Sequence, residues 1–569
     1  MALTGERSAS AGDPPALTGE RSASGWRQGR RAVWAVLALT LLAAVVGVVT
    51  VARHVGAPRA LPTETWPVVV YGASSGGVGA ALGVARERVA VLLVEPTDRP
   101  GGMLTNGVTA DLVRPETSTG VFDDVRRSVA ARYARAGIRG QAVRDGLSPE
   151  PDVALAVVRD LLDAEPEITT RTGWWLDERP GAVELDGDEL RAITVTNGAE
   201  RVRLRAAAFV DASPEGDLLG AAGREGLDWV VGREGRDVHG ERHAPARSDR
   251  RQQAYAYRLT LEVGGRTDYR VPATYVADLP RYRQVDDGAT KFDCRHVVDG
   301  VERDYRGMRI QRCLVDGKLD VSIDLIGLND AYPTQPRALR AVTERRLRDF
   351  AVGWLHFLRT EGGHPELGLS RDDYRDNGGL PSMLYVREGR RAVGRTVFVE
   401  RDVVPPPWAP QRRLPLRPTS VAVGDYGLDS HCVRPVGAVS SATVPCTGAF
   451  WTSVRPFQVP FEVMVPVRLQ RLLVPVPVSA SHVGYSTLRT EPVRANLGFA
   501  AGIAAAWAAR DGGLVADTDV RALQRTLVAH GQAVVFIYGM DRRSPDFAAD
   551  QLAVAWGRAT LPPDSYRLR

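Results

Sequence analysis

VVVYGASSGGVGAAL (Val68–Leu82) is an apolar, β-branched run that breaks on a glycine and resumes as a stretch of small residues. Pro67–Tyr71 reads as a buried parallel strand ending in a turn. Gly72 permits the tight turn, and Gly77 lets the following helix pack close to the strand. The helix N-terminus, at Ser74, Ser75 and Gly76, offers N–H groups and a positive dipole end to a pyrophosphate. Val89–Glu95 (VAVLLVE) is a second strand, and Glu95, 23 residues after Gly72, stands where a carboxylate accepts from a ribose hydroxyl. Strand, glycine turn, helix, strand and acid in this order predict a Rossmann-like α/β dinucleotide fold. One departure is Ser74, at the second glycine position of G-x-G-x-x-G.

The continuation favours FAD over NAD. Arg99-Pro100-Gly101-Gly102-Met103 follows the second strand closely, and paired glycines let backbone approach a large ligand. Later, Ala206–Val210 reads as a further strand that delivers Asp211 and Ala212 to the carboxyl edge of the sheet, where ligands of open α/β sheets bind. Near the other end, Ser479-Ala480-Ser481-His482 precedes a helix opened by Glu491-Pro492 and rich in small residues, Gly498 among them. That composition implies close packing. Its N-terminus also suits the flavin ring, where the dipole stabilises negative charge.

The chain resembles the FAD-dependent oxidoreductase family of bacterial proteins, some of whose members are labelled xanthan lyase-like. The resemblance covers about residues 66–535. It is carried by VVVYGASSGGVGAAL, LLVEPTDRPGGML (92–104), VDASPEGDLLGAAG (210–223) with VGREGR (231–236), QAYAYRLTL (253–261), LYVREGRRAVG (384–394), DYGLDSHCV (425–433) and residues 476–506. It implies a non-covalent FAD site of the two-dinucleotide-fold type with an inserted substrate domain.

A flavin enzyme must hold substrate over the ring and remove a proton. The candidates are His482 in SASHVGY and His431 in LDSHCV, with Asp429 on the same side as His431 if that segment is a strand. Each histidine also reads as a structural hydrogen-bonder. Arg387, Arg390 and Arg391 recur at helical spacing, so they are expected on one face as a clamp for a carboxylate or an anionic sugar, or as a solvated face. Arg489 is a further substrate candidate and pairs with Glu491 at the helix start in this reading. No cysteine–histidine spacing suggests a metal.

The remaining organisation follows from composition. The 569 residues are 44% hydrophobic and 25% charged with net charge +5, which excludes collagen-like, coiled-coil and mainly disordered chains. Seven arginines against four acids in residues 1–66 hold most of the excess, so the body has no basic footprint for nucleic acid. ALTGERSAS occurs twice in a polar tail, 1–31. Residues 32–52 are uncharged and as a helix would span about 32 Å, enough for a bilayer core of about 30 Å. They are expected to be an uncleaved signal anchor, rather than a cleaved signal, with the tail cytoplasmic and the body outside.

A linker (53–66) leads to an FAD-binding domain in two parts (67–235 and 420–510), around an α+β substrate domain (236–419) and before a C-terminal tail (511–569). Cys294/Cys313 and Cys432/Cys446 form two sequence-local pairs, read equally as disulfides or as unpaired small hydrophobes. The expected function is a membrane-bound FAD-dependent dehydrogenase or oxidase. It transfers hydride from a small organic or carbohydrate-like substrate and is reoxidised by an unidentified electron acceptor. The rivals are a lyase-like polysaccharide enzyme using FAD and a non-catalytic flavin-fold membrane protein.

Overall fold

Val68, Val69 and Val70 lie fully buried at the end of strand β1 (Thr63–Tyr71), as a run that is apolar on both faces requires. In the computed structural model, the described residues are 61–108, 116–138, 146–285, 294–298, 301–305, 310–435, 446–563 and 565–567. The expected tail and anchor, 1–52, lie outside them. Among the described residues no helix is long and apolar enough to cross a membrane.

Strands β2 (Val91–Glu95), β3 (Ile168–Thr172), β4 (Trp175–Leu176), β5 (Val183–Asp186), β6 (Glu189–Thr196) and β7 (Arg201–Asp211) complete the first sheet, in the order β3-β2-β1-β7-β6-β4. The pairs β3/β2, β2/β1 and β1/β7 are parallel, and β6 runs antiparallel to β7. The C-terminal part of the chain returns as Leu472–Leu473, parallel to β7. The register sets Tyr71 beside both Val94 and Asp211. The carboxyl ends of β1, β2 and β7 therefore meet at one edge, as the dinucleotide reading requires.

Helix α1 (Ser75–Arg86) follows β1 directly. The inserted unit is an antiparallel sheet of β8 (Ala256–Val263), β9 (Ile310–Cys313), β10 (Leu319–Asp324) and β11 (Leu367–Leu369), in the order β9-β10-β8-β11. Its apolar residues share a core with Leu347, Phe350, Trp354 and Leu358 of the long helix α2 (Arg337–Thr360). Helices α3 (His482–Leu488) and α4 (Glu491–Asp511) complete the main core.

The small residues of α4 have a direct cause. A Cβ at Gly498 would lie 1.9 Å from the Gly76 carbonyl oxygen, and one at Gly79 would lie 2.2 Å from that of Ala495. The two backbones touch, and no side chain fits between them. The described part of 511–569 is not an appendage. Leu523, Leu527, Val534, Phe536 and Val554 belong to the main core, and Gln532 donates to the Val421 carbonyl (2.7 Å). The stretch DVRALQRTLVAHG (519–531) forms a helix over Val520–Ala529, with Gly531 at φ +73°. Cys432 and Cys446 are joined in a disulfide, Cα–Cα 5.7 Å, and Cys313 is disulfide-bonded as well.

Candidate functional site

Gly72 takes φ +87°, and a Cβ there would meet the Ser213 amide nitrogen at 2.6 Å. This is the turn that a side chain cannot make. Ser74 instead has φ −61° and caps α1. Its Oγ accepts from the Gly77 N–H (3.4 Å) and donates to the Ala212 carbonyl (2.7 Å). A residue with negative φ and a capping oxygen needs no glycine, which accounts for the departure from the motif.

Glu95 accepts from the Ala73 N–H (2.7 Å) and from the N–H and hydroxyl of Thr97 (both 2.8 Å). Burial, only partly offset by these donors, raises its carboxyl above the usual value. Gly102 sits at φ +55°, and a Cβ there would lie 2.8 Å from the Ser74 Cα.

Between these groups lies a cavity of about 380 Å³, lined by Gly72, Ser74, Glu95, Gly102, Trp175 and Arg340 among others. The fit to a dinucleotide rests on two features. The wall at Gly72 and Gly102 is bare backbone, and a Cβ at either would meet Ser213 or Ser74. Ser75 Oγ, in the first turn of α1, is buried without a hydrogen-bond partner, as suits a donor awaiting a phosphate oxygen. The wall also carries acids. Burial and the neighbouring Asp217 push Glu215 up to about 7. Burial would raise Asp217 too, but Arg340 and Arg390 more than offset it and hold it below the usual carboxylate range.

Met383 and Leu384 also line the cavity, and Met383 packs on a cluster of Met103, Val108 and Tyr385. Tyr385 is the centre of a charged group. The guanidinium groups of Arg387, Arg258 and Arg489 lie 4.7, 5.2 and 5.9 Å from its ring centroid. Arg489 also donates to its hydroxyl (2.5 Å). Each arginine is held by an aspartate: Arg387 by Asp324 (3.0 Å), Arg258 by Asp320 (3.2 Å) and Arg489 by Asp429 (2.7 Å).

His431 joins them, with Nδ1 2.7 Å from Asp324 and Nε2 3.8 Å from Asp429. Burial, with the Arg387 charge beside it, lowers His431 from 6.5 to about 4. The ring is therefore neutral at pH 7. Its Nδ1–H donates to Asp324 and leaves Nε2 as the acceptor.

Asp429, His431, Arg387 and Arg489 are thus brought together, while the other expected residues go elsewhere. His482 is 1% exposed and, like His431, lies off the cavity wall. Its Nδ1 meets Glu388 (2.7 Å), its Nε2 meets Ser430 Oγ (3.3 Å) and its N–H meets Glu234 (2.8 Å). Burial pushes the Glu388 carboxyl up, but His482 and Arg391 outweigh it and leave it lowered.

The arginine triplet forms no helix and shares no face, because Arg391–Ala392 is a short strand and the residues before it run irregularly. A Cβ at Gly389 would meet the Pro214 carbonyl at 2.5 Å, so the segment is pressed against the turn after β7. Arg390 consequently reaches the Glu215 carbonyl (3.2 Å) and Asp217 (3.4 Å) on the dinucleotide side. Arg391 reaches Glu234 (2.7 Å).

Arg489 pairs with Asp429 rather than Glu491, and Glu491 faces Arg494 (3.4 Å). Asp211 is fully buried and spent on its own turn, accepting from Ser213 N (2.9 Å), Ser213 Oγ (2.6 Å) and Leu219 N (2.7 Å). Ala212 serves through its carbonyl to Ser74, Gly498 by its contact with Gly76, and Met103 by packing on Tyr385.

Sequence reasoning missed Tyr385, Arg258, Asp324 and Glu388. A usable signal existed only for Glu388, an acid flanked by three arginines in VREGRR. Asp324 ends an ordinary strand. Among the described residues no group of three or more His, Cys, Asp or Glu could hold a metal ion.

A family model described as FAD dependent oxidoreductase matches residues 67–527. No curated protein matches. Among solved structures, the chain is similar to an L-proline dehydrogenase from P. horikoshii (15% identity, 32% of this chain and 26% of that one, TM-score 0.18), and so spans about a quarter of that protein's length. It is also similar to a geranylgeranyl bacteriochlorophyll reductase-like protein from Thermoplasma acidophilum (10% identity, 88% and 89% covered, TM-score 0.30). A third is p-nitrophenol 4-monooxygenase from Pseudomonas putida (13% identity, 88% and 91% covered, TM-score 0.31).

Proposed function

The chain belongs to the FAD-dependent oxidoreductase family, its cofactor is FAD, and from that premise we propose that it is a dehydrogenase or oxidase of a small organic or carbohydrate-like substrate. The observation that carries this reading is the neutral His431 beside Asp429, Arg387 and Arg489, next to the Met103–Tyr385 contact that follows the Gly101-Gly102 loop.

Bound FAD supplies the hydride acceptor. Ser75, Glu95 and the α1 N-terminus hold its dinucleotide part in this reading. As hydride would leave the substrate carbon, the hydroxyl proton would pass to His431 Nε2 and a C–O double bond would form. Asp324 fixes the imidazole tautomer through Nδ1, and Arg489 with Asp429 orients the substrate oxygens.

We further propose that residues 32–52 anchor the chain, with the body outside the cytoplasm. There oxygen, a quinone or another redox carrier would take the electrons.

Anaerobic mixing of holoenzyme with candidate alcohols tests the reaction. The flavin band at about 450 nm should bleach. A product that is cleaved but not oxidised, with the band intact, contradicts it. The pH profile of kcat/KM should be flat from neutrality down to about pH 5 and then fall as His431 takes a proton near 4. The same depressed value makes stability decline as pH falls from 6.5 towards 4, because the unfolded chain binds that proton first. Thermal melts across this window read the second effect.

A further inference from the structure

We propose that Trp451 is the stacking platform for a pyranose ring, an inference that rests on the oxidoreductase reading above and narrows its substrate class. Strands Leu428–Ser430 and Phe450–Thr452 pair antiparallel with Asp429 directly opposite Trp451. Opposed residues of such a pair project from the same face. Trp451 therefore rises beside the carboxylate that holds Arg489.

It is 58% exposed, although burying so large an apolar ring is favourable. Its indole stands edge-on to Tyr426, with centroids 5.5 Å apart at 87°. Gly427 leaves room beneath it, since a Cβ there would come within 3.0 Å of the indole. Tyr426 in turn donates to Asp429 (2.8 Å) and lies 5.9 Å from the Arg489 guanidinium. One tyrosine thus braces both the exposed indole and the buried acid.

The neighbouring polar groups are His431, whose side chain is 22% exposed, and the largely buried Asp429, which keeps 10% of its side-chain surface. A pyranose matches this combination. The C–H bonds on one face of its ring lie against an indole, and its rim of hydroxyls meets carboxylate and imidazole. A flat aromatic substrate would leave the charged groups facing apolar edges, which is costly. An acyclic polyol would satisfy those groups but has no ring face for the indole.

The test uses FAD-loaded full-length protein, titrated anaerobically with methyl glucopyranoside, methyl galactopyranoside and glucuronate, with sorbitol and benzyl alcohol as acyclic and aromatic comparisons. At least one pyranose should bleach the flavin. For that compound Trp451→Ala should raise KM about tenfold with a much smaller change in kcat, and Trp451→Phe should restore most of the loss. Bleaching by sorbitol or benzyl alcohol but by no pyranose overturns the inference and leaves the oxidoreductase reading standing. An unchanged KM in Trp451→Ala also overturns it. Bleaching by none of the five compounds overturns the pyranose assignment and counts against the reading beneath it.

Discussion

Gly77→Val is expected to yield protein that retains no flavin and melts far below the parent. A Cβ at this position would lie 1.8 Å from the Gly72 carbonyl oxygen, well inside any contact distance. The obstructing atom is backbone, at the turn between β1 and α1, so it cannot swing aside. The helix would have to lift from the strand, carrying Ser74 away from the Ala212 carbonyl and out of the cavity wall. Overpacking of this kind costs about 3 kcal/mol or more, and here it also removes the ligand's share of stability. Gly77→Ala should show the same defect in milder form. Gly513, with open space around its Cβ position, is the comparison: Gly513→Ala should change stability by only about 0.5 kcal/mol. Flavin content by absorbance and Tm by melting read both. A Gly77→Val protein with full flavin content would refute the assignment of this turn.

His431→Ala should reduce kcat by about 10²–10⁴-fold, the usual worth of a positioned acid–base group, while flavin content stays near that of the parent. The two effects separate because His431 bonds Asp324 and faces Asp429, and neither lines the dinucleotide cavity. The substitution leaves no orphaned charge, since Asp324 keeps Arg387 and Asp429 keeps Arg489. A fall in kcat with an intact flavin spectrum is thus chemistry rather than collapse. His431→Ala retaining kcat within about threefold would remove it from the reaction. Single-turnover reduction measured anaerobically isolates the step in question from reoxidation.

The dinucleotide half was legible because its physics is local. The turn at Gly72, the close helix at Gly77 and the acid at Glu95 lie within one short segment, and each has a backbone reason that a sequence displays. Ser74 departed from the motif yet fitted, because a capping hydroxyl does the work at negative φ. Small residues in α4 announced a close contact, although only the structure names Gly76 and Ala495 as the partners.

The Tyr385 cluster, which we propose holds substrate, was only partly legible, because it is assembled from far-separated segments. Asp324, Tyr385, His431 and Arg489 come from four parts of the chain, and nothing in the strand that ends at Asp324 marks it. Arginines 387, 390 and 391 misled by spacing: a helical period means a shared face only in a helix, and Gly389 pressed on Pro214 forbids one. His482 stands in an equally conspicuous stretch, SASHVGY. It is a buried node whose ring nitrogens and backbone N–H all have partners.

The most direct test is the visible spectrum of the purified protein, with its chromophore released and identified. Bands at about 370 and 450 nm, with FAD released on denaturation at about one per chain, are the predicted result. A folded, colourless protein that takes up no added FAD would contradict it.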